Sequence, residues 1–297
     1  MLEFLPITLD RRDALHPRLY AAGRKGCEYS FANLLLWIAP RGGCAEVAGC
    51  VCTRVTWKSG ARYFFPAGIG DPTAALELLR LDAAERGEPF RLAGVTERDK
   101  TMLELFYPGR FTFTLQRDMF DYTYPVEQLA ELAGKKLQAK RNHINRFISE
   151  HPDWRVEPIT EENVELCRSC AQKWFLAHDA KDGAREQEIL ETALSNFRTL
   201  GMEGLLLMDG DEALAFSLGN RITEKTFDVN FEKADAEIHG SFAIINREMA
   251  RMVRGRYPDV EVLNREDDMG LPGLRKAKES YQPILLQKYF AEWRTEV

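Results

Sequence analysis

The chain has 297 residues, 45 % hydrophobic and 29 % charged, a composition that supports a sizeable core and excludes wholesale disorder. The length suits two domains of roughly 120–160 residues each. A formal net charge of −6 argues against a general nucleic-acid coat, and no run approaches the roughly 18 apolar residues of a membrane span.

The first residues, MLEFLPITLDRRD, carry an early acid and no basic stretch before an apolar run. They do not read as a secretory signal, and a cytoplasmic location is expected. Residues 10–26 read as a helix and a basic glycine turn, and 30–38 as an apolar helix. Residues 46–57 alternate and read as one strand. A second strand, 62–65, follows the turn Lys58-Ser59-Gly60. Asp71-Pro72-Thr73 opens a helix to about residue 86, with proline at the first helical position. Residues 90–94 form a short strand. Thr96-Glu97-Arg98-Asp99 resembles a capping box, predicting a helix to residue 106. Residues 111–115 form an aromatic strand.

Residues 116–133 read as a crossing segment between domains. The helix over 134–150 carries a basic run, Lys135, Lys136, Lys140, Arg141, His143 and Arg146, with Leu137, Ile144, Phe147 and Ile148 on its apolar side. A strand over 154–158 precedes helices over 160–178 and 185–200, the second stopped by Gly201. A three-strand meander follows over 204–208, 212–221 and 225–231, its first turn at Asp209-Gly210-Asp211. An acidic loop, 232–239, leads into a helix over 240–254. A strand over 260–264, a helix over 271–281 and a last strand over 284–290 complete the chain.

Cys27, Cys44, Cys50, Cys52, Cys167 and Cys170 read as free thiols in such a chain. The Cys167–Cys170 and Cys50–Cys52 spacings leave a metal or redox site open. The helical apolar stripe around Cys167 favours packed thiols, and no metal is expected.

A meander followed by βα units predicts a mixed sheet with helices on both faces. The first half has a shorter version of the same order, so the fold class expected is α/β with mixed sheets. That order is the order of the GNAT acyltransferase fold, and it predicts two tandem GNAT-like lobes, 1–120 and 121–297.

Three stretches sharpen the likeness. Leu274-Arg275-Lys276-Ala277-Lys278-Glu279-Ser280-Tyr281-Gln282-Pro283 resembles the ending of the phosphatidylglycerol lysyltransferase (lysylphosphatidylglycerol synthase) C-terminal domain, and the Phe-Lys signature of Fem-type aminoacyltransferases. Ala277 stands where that signature has its aromatic residue. The basic helix from Gly134 to Arg146 resembles the one that opens the catalytic lobe of the same superfamily. Asp228-Val229-Asn230-Phe231-Glu232-Lys233-Ala234-Asp235 and Gly240-Ser241-Phe242 resemble its soluble bacterial branch, domain of unknown function 2156. The amino-terminal membrane domain of the phospholipid-modifying synthases is not expected here.

The resemblance implies aminoacyl or acyl transfer to an amine or hydroxyl acceptor: a small molecule, a peptide or a lipid headgroup. Such chemistry needs a deprotonated nucleophile, a stabilised oxyanion and an aligned donor. Lys278 is the expected oxyanion or phosphate contact; otherwise it is a solvated lysine near a helix C-terminus. Asp228 and Asn230 share one strand face and are expected to meet substrate, unless that face is an exposed edge. Glu232 continues the face as a candidate base, and Tyr281 is expected in the substrate pocket.

Glu266, Asp267 and Asp268 read either as helix-start carboxylates or as an ammonium-binding cluster flanked by Asn264 and Arg265. Lys140 and Arg141 are expected to meet phosphates of a donor such as tRNA, or else to lie on a solvated face. His239 reads as a surface or capping residue, and His143 as part of the charged face of the basic helix. Acetyl-CoA users hold pyrophosphate on a glycine-rich loop at a helix N-terminus. The equivalent stretch here, 232–241, carries Glu232, Asp235 and Glu237 and a single glycine. An aminoacyl-tRNA donor is therefore expected ahead of acetyl-CoA. An acetyl-CoA-dependent N-acetyltransferase and a non-catalytic binding module of the same fold stay open.

Overall fold

In chain order the strands are β1 (Leu5–Pro6), β2 (Gly42–Val47), β3 (Cys50–Trp57), β4 (Gly60–Phe64), β5 (Ala67–Gly68), β6 (Arg91–Val95), β7 (Phe111–Leu115) and β8 (Asp121–Pro125). They continue with β9 (Trp154–Pro158), β10 (Met202–Asp209), β11 (Glu212–Arg221), β12 (Thr226–Ala234), β13 (Val262–Asn264), β14 (Ile284–Leu286) and β15 (Tyr289–Trp293). The computed structural model describes residues 1–177 and 183–295. It forms two units: Met1–Tyr122 with Glu266–Arg275 and the stretch from Leu285 onward, and Thr123–Arg265 with Lys276–Ile284. Among the described residues no helix is long and apolar enough to cross a membrane.

The first unit holds a sheet of order β1-β2-β3-β4-β6-β15-β7, with β5 beside β3. β4 and β6 run parallel and the other neighbours antiparallel. Tyr63, Leu76, Leu79, Phe90, Leu92 and Leu103 form its core under the helices Pro72–Glu85 and Glu97–Phe106. Both helix starts follow from local chemistry. Asp71 accepts the Thr73 and Ala74 amides at 2.9 and 3.3 Å, and Thr96 and Asp99 complete the expected capping box.

The second unit's sheet has the order β14-β8-β13-β12-β11-β10-β9. β10 to β12 form an antiparallel meander with β9 antiparallel on the edge of β10, β12 and β13 run parallel, and β13 pairs antiparallel with β8. The helices Gln138–Glu150, Val164–Ala177, Gly183–Leu200 and Ser241–Arg256 belong to this unit. The end expected for the helix over 160–178 lies outside the described residues. Both sheets are mixed and share one strand pattern, so the chain is α/β with two tandem GNAT-like lobes.

Several elements differ from the sequence reading. Residues 46–57 are not one strand: β2 and β3 form a hairpin through Ala48 and Gly49, with φ of 48° and 76°, the geometry that suits strand twist. Alanine seldom adopts that conformation, so Gly49 was the single turn signal. Residues 116–133 do not merely cross between lobes, for β8 and the helix Val126–Glu131 lie there. Residues 284–290 are two strands in different sheets, β14 and β15. The first unit therefore takes in the chain's last strand, which a contiguous division at residue 120 does not. Ile148 is exposed, while Leu137, Ile144 and Phe147 are buried.

All six cysteines are free. Burial pushes the Cys44 thiol up to about 11 and the Cys170 thiol up to about 12, so both stay protonated at neutral pH. Among the described residues one group has metal-ligand spacing: Cys27, Glu28 and Asp121. The Lys288 ammonium sits against all three, 2.6 Å from Glu28 Oε2, 2.7 Å from Asp121 Oδ1 and 3.8 Å from Cys27 Sγ.

Candidate active site

The middle of the second sheet carries a polar row. Asn220 on β11, Asp228 on β12, Asn264 on β13 and Thr123 on β8 are successive cross-strand partners, and all four are buried. Partners in register share one face, so four polar side chains stand side by side where a sheet normally packs hydrocarbon. Asp228 Oδ2 accepts a hydrogen bond from Asn230 Nδ2 at 3.2 Å. The sequence placed Asp228 and Asn230 on a simple alternating face, but the strand is bulged. Leu218 pairs with Phe231 and Gly219 with Val229, leaving Asn230 as the extra residue. Gly219 permits the close approach, since a Cβ there would lie 2.1 Å from the Asp228 carbonyl oxygen.

Beyond the bulge, Glu232 joins a charged and aromatic cluster. Arg265, one residue past β13, donates to Glu232 Oε1 at 2.8 Å, and Asn246 Nδ2 donates to its Oε2 at 3.2 Å. The Arg265 guanidinium lies 5.3 Å from the Tyr281 ring centre and 5.8 Å from that of Tyr124. Lys140 places its ammonium 4.0 Å over Tyr281, within cation–π range. Lys278 is buried and donates to the Arg265 carbonyl at 2.6 Å, while the Tyr124 hydroxyl donates to the Lys278 carbonyl at 2.8 Å. Burial, and then the charge of Arg265, lowers the Lys140 ammonium pKa; Glu232 works against both. Burial raises the Tyr281 phenol above its ordinary value although Arg265 opposes it, so the phenol stays neutral.

Lys140, Glu232, Lys278 and Tyr281 thus come together, with Asp228 and Asn230 on the strand that leads to them. Arg141 has another task. It donates to the carbonyls of Leu132 and Gly134 and to Gln138 Oε1, which ties down the turn before its own helix. Ala277 is exposed while Lys278 is buried, so the aromatic missing at 277 would not line the surroundings of Lys278.

Glu266, Asp267 and Asp268 belong to the first unit. Glu266 Oε1 accepts from Asn33 Nδ2 at 2.8 Å, and Asp267 Oδ1 accepts from the Met269 amide at 3.1 Å. Asp268 is a buried hub for Arg275 at 2.7 Å, the Tyr122 hydroxyl at 2.5 Å, the Gly270 amide at 2.8 Å and Arg117 at 3.2 Å. Burial opposes its ionisation, but these hydrogen bonds outweigh it and hold the carboxyl well below the usual carboxylate range. A depressed folded-state value gives stability that is present above the unfolded value of 3.8 and is lost as pH falls through the folded one. Asp268→Asn is therefore expected to flatten the acid limb of a stability-versus-pH profile below about pH 5. A variant whose unfolding midpoint fell with acid as steeply as the parent's would contradict this.

The N-terminus of the helix Ser241–Arg256 is where a pyrophosphate cradle would lie in a GNAT lobe. Here Gly240 has φ of 87°, and a Cβ on it would stand 2.5 Å from the His143 carbonyl oxygen. Ser241 Oγ donates to the carbonyls of Asp235 and Ile238, and His143 Nδ1 lies 2.8 Å from His239 Nε2. The helix start is thus packed against the helix Gln138–Glu150. Gly240→Ala combines a left-handed backbone with a backbone clash and is expected to cost at least about 1–3 kcal/mol, read as a lowered denaturant midpoint at unchanged slope.

Sequence reasoning underrated Arg265, seen only as a flank to the carboxylates, and missed Tyr124, Asn246 and Lys233. Lys233 is buried, pairs with Glu186 at 2.7 Å and sits 3.4 Å over the Trp174 ring. The alternation Tyr122-Thr123-Tyr124 was a usable strand signal. Nothing local marked Asn246.

Residues 21–292 match the family described as phosphatidylglycerol lysyltransferase, C-terminal. The chain belongs to this family. A conserved protein of unknown function from Bacteroides thetaiotaomicron is 37 % identical, with 99 % of this chain and 100 % of that one covered and a TM-score of 0.92. The C-terminal domain of a candidate lysylphosphatidylglycerol synthetase from Agrobacterium fabrum matches at 12 % identity, over 97 % of this chain and 93 % of that one, with a TM-score of 0.69. An uncharacterized protein of Mycoplasmoides gallisepticum is 24 % identical over 179 residues, 58 % of this chain and 56 % of its own length, so the chain spans about half of that relative. The family stretch includes both the polar row and the Arg265 cluster.

Proposed function

We propose that the second unit transfers an aminoacyl group from an aminoacyl ester, of the kind carried by tRNA, to an amine or hydroxyl acceptor. The acceptor class is a small molecule, a peptide or a lipid headgroup. The observation that carries this reading is the grouping of Lys278, Arg265, Glu232, Tyr281 and Lys140 beside the bulged strand, in a chain of the phosphatidylglycerol lysyltransferase C-terminal family. Attack by the acceptor on the ester carbonyl creates an oxyanion and frees one proton, and collapse releases the donor's hydroxyl. Lys278 is assigned to the oxyanion, and Glu232 and Asp228 to the proton. Asn230, Tyr281 and Lys140 hold the aminoacyl donor, and Arg141 shapes the turn that presents Lys140.

Two features support an ester donor over acetyl-CoA. The loop before the helix Ser241–Arg256 carries Asp235 and Glu237, which repel pyrophosphate. The helix start itself is packed against the His143 backbone. The test is to incubate the protein with a tRNA pool charged with labelled amino acids and to follow label into lipid, peptide and small-molecule fractions. Label should move from tRNA into one acceptor fraction. Saturable micromolar binding of acetyl-CoA, with no transfer from charged tRNA, would overturn the reading.

A further inference from the structure

The first unit carries a cleft that the transfer reaction leaves unused. Its volume is about 500 Å³, and Arg41, Trp57, Lys58, Ser59, Arg62 and Phe290 line it. Small-molecule sites span roughly 300–1,000 Å³, so the size suits one compact ligand. Its lining holds three cationic side chains and no carboxylate, in a chain with 46 acidic and 40 basic residues.

Arg62 is the side chain that asks for a ligand. Its neighbour Tyr63 points into the helix-covered core, and strand alternation sends Arg62 to the opposite face. It is only 8 % exposed. Its Nη1 donates to Ser59 Oγ at 2.9 Å, and its guanidinium lies 4.3 Å from the Phe290 ring centre and 5.4 Å from that of Trp57. Its Nε is buried without a hydrogen-bond partner.

Four other largely buried cations each hold at least one carboxylate. Arg24 holds Asp99, Lys233 holds Glu186, Arg265 holds Glu232, and Lys288 holds Glu28 and Asp121. Burying a charge is costly unless it is paired, and among the described residues no carboxylate comes within ion-pair distance of Arg62. Burial, and then the nearby charge of Arg91, lowers its guanidinium pKa, the direction a bound anion would reverse. An adjoining cleft of about 490 Å³ shares Arg62 and Phe290 and adds Arg91 and Arg294. There Arg91 is already paired with Glu292 at 2.9 Å, which leaves the first cleft as the anion subsite.

We propose that this cleft binds a small phosphomonoester carried on a flat ring, the chemistry of a nucleoside monophosphate. Arg62 and Lys58 take the phosphate, because a guanidinium fork matches its oxygens two at a time. The half-exposed indole of Trp57 and the ring of Phe290 receive the base. A compact ligand is favoured over a polymer by the enclosure of Arg62 and by the pairing of Arg91.

The site lies wholly in the first unit, so it stands or falls apart from the transferase reading. Calorimetric titration of the full chain with AMP, adenosine and inorganic phosphate tests it. AMP should bind saturably, with Kd rising as salt is added, and each fragment alone should bind at least about tenfold more weakly. Arg62→Met should weaken AMP by about tenfold or more. Lys58→Ala changes an exposed residue and should weaken AMP about two- to fivefold. No AMP binding, or equal binding by the parent and both variants, would overturn the proposal. So would phosphate binding as tightly as AMP, or an oligonucleotide binding far more tightly than AMP.

Discussion

Lys278→Ala is expected to lower the rate of aminoacyl transfer by about 10²–10³, the usual effect of removing one preorganised oxyanion donor. The side chain is buried, and its ammonium is aimed by the 2.6 Å bond to the Arg265 carbonyl. That carbonyl belongs to the residue whose guanidinium holds Glu232, so one short segment positions both the oxyanion contact and the carboxylate. Deleting the ammonium leaves a carbonyl short of a donor, which costs about 1–3 kcal/mol of stability. The loss of rate must therefore be measured where the variant is still folded, by following labelled amino acid from tRNA beside a urea titration. Lys276→Ala is the control, because Lys276 is exposed on the same helix and should leave the rate unchanged. A Lys278→Ala protein that is folded and fully active would remove Lys278 from the mechanism.

Lys288→Met is expected to destabilise the first unit by about 3–5 kcal/mol, the range for breaking a buried ion pair from one side. Glu28 and Asp121 are buried, each within 2.7 Å of the same ammonium, and neither could reach water once it is gone. Burial opposes the Lys288 charge, but Asp121, Cys27 and Glu28 together raise its pKa well above the ordinary value. A raised folded-state value gives stability that is fully present below the unfolded pKa of 10.5 and is lost as pH climbs through the folded one. The parent should therefore lose stability on the alkaline side more steeply than the variant. The triple change Lys288→Met, Asp121→Asn, Glu28→Gln should recover part of the loss, because neutral amides are far cheaper to bury than unpaired carboxylates. A single variant as stable as the parent would show the cluster to be dispensable.

The helices were legible because their signals are local. Asp71-Pro72, the Thr96–Asp99 box and Gly201 each act within one turn, and the structure places helix ends at all three. The β10 to β12 meander was legible for the same reason, since Gly210 in a left-handed turn needs only its neighbours. β8 was missed because Asp121 and Thr123 are polar, yet both are buried: Asp121 against Lys288, and Thr123 through a hydrogen bond from its hydroxyl to the Ile284 carbonyl at 2.6 Å. Partners 161 and 167 residues away leave no mark on a local pattern. The break between β14 and β15 was hidden likewise, because an apolar run does not say in which sheet each half lies.

The candidate site shows the same divide. Composition, element order and the motif around Lys278 determined by themselves that this is an α/β chain of two GNAT-like lobes, and they pointed to Lys278, Asp228, Asn230, Glu232, Tyr281 and Lys140. Only the tertiary structure decided which of these meet. It brought Arg265 to Glu232 across 33 residues, gave Arg141 to a turn, and placed Asp268 in the first unit as a hub for Arg275 and Tyr122. Propensity and capping act over a few residues, so a sequence shows them directly. Register, bulges and buried charge pairs depend on which strands lie side by side, and that is settled only when the whole sheet has formed.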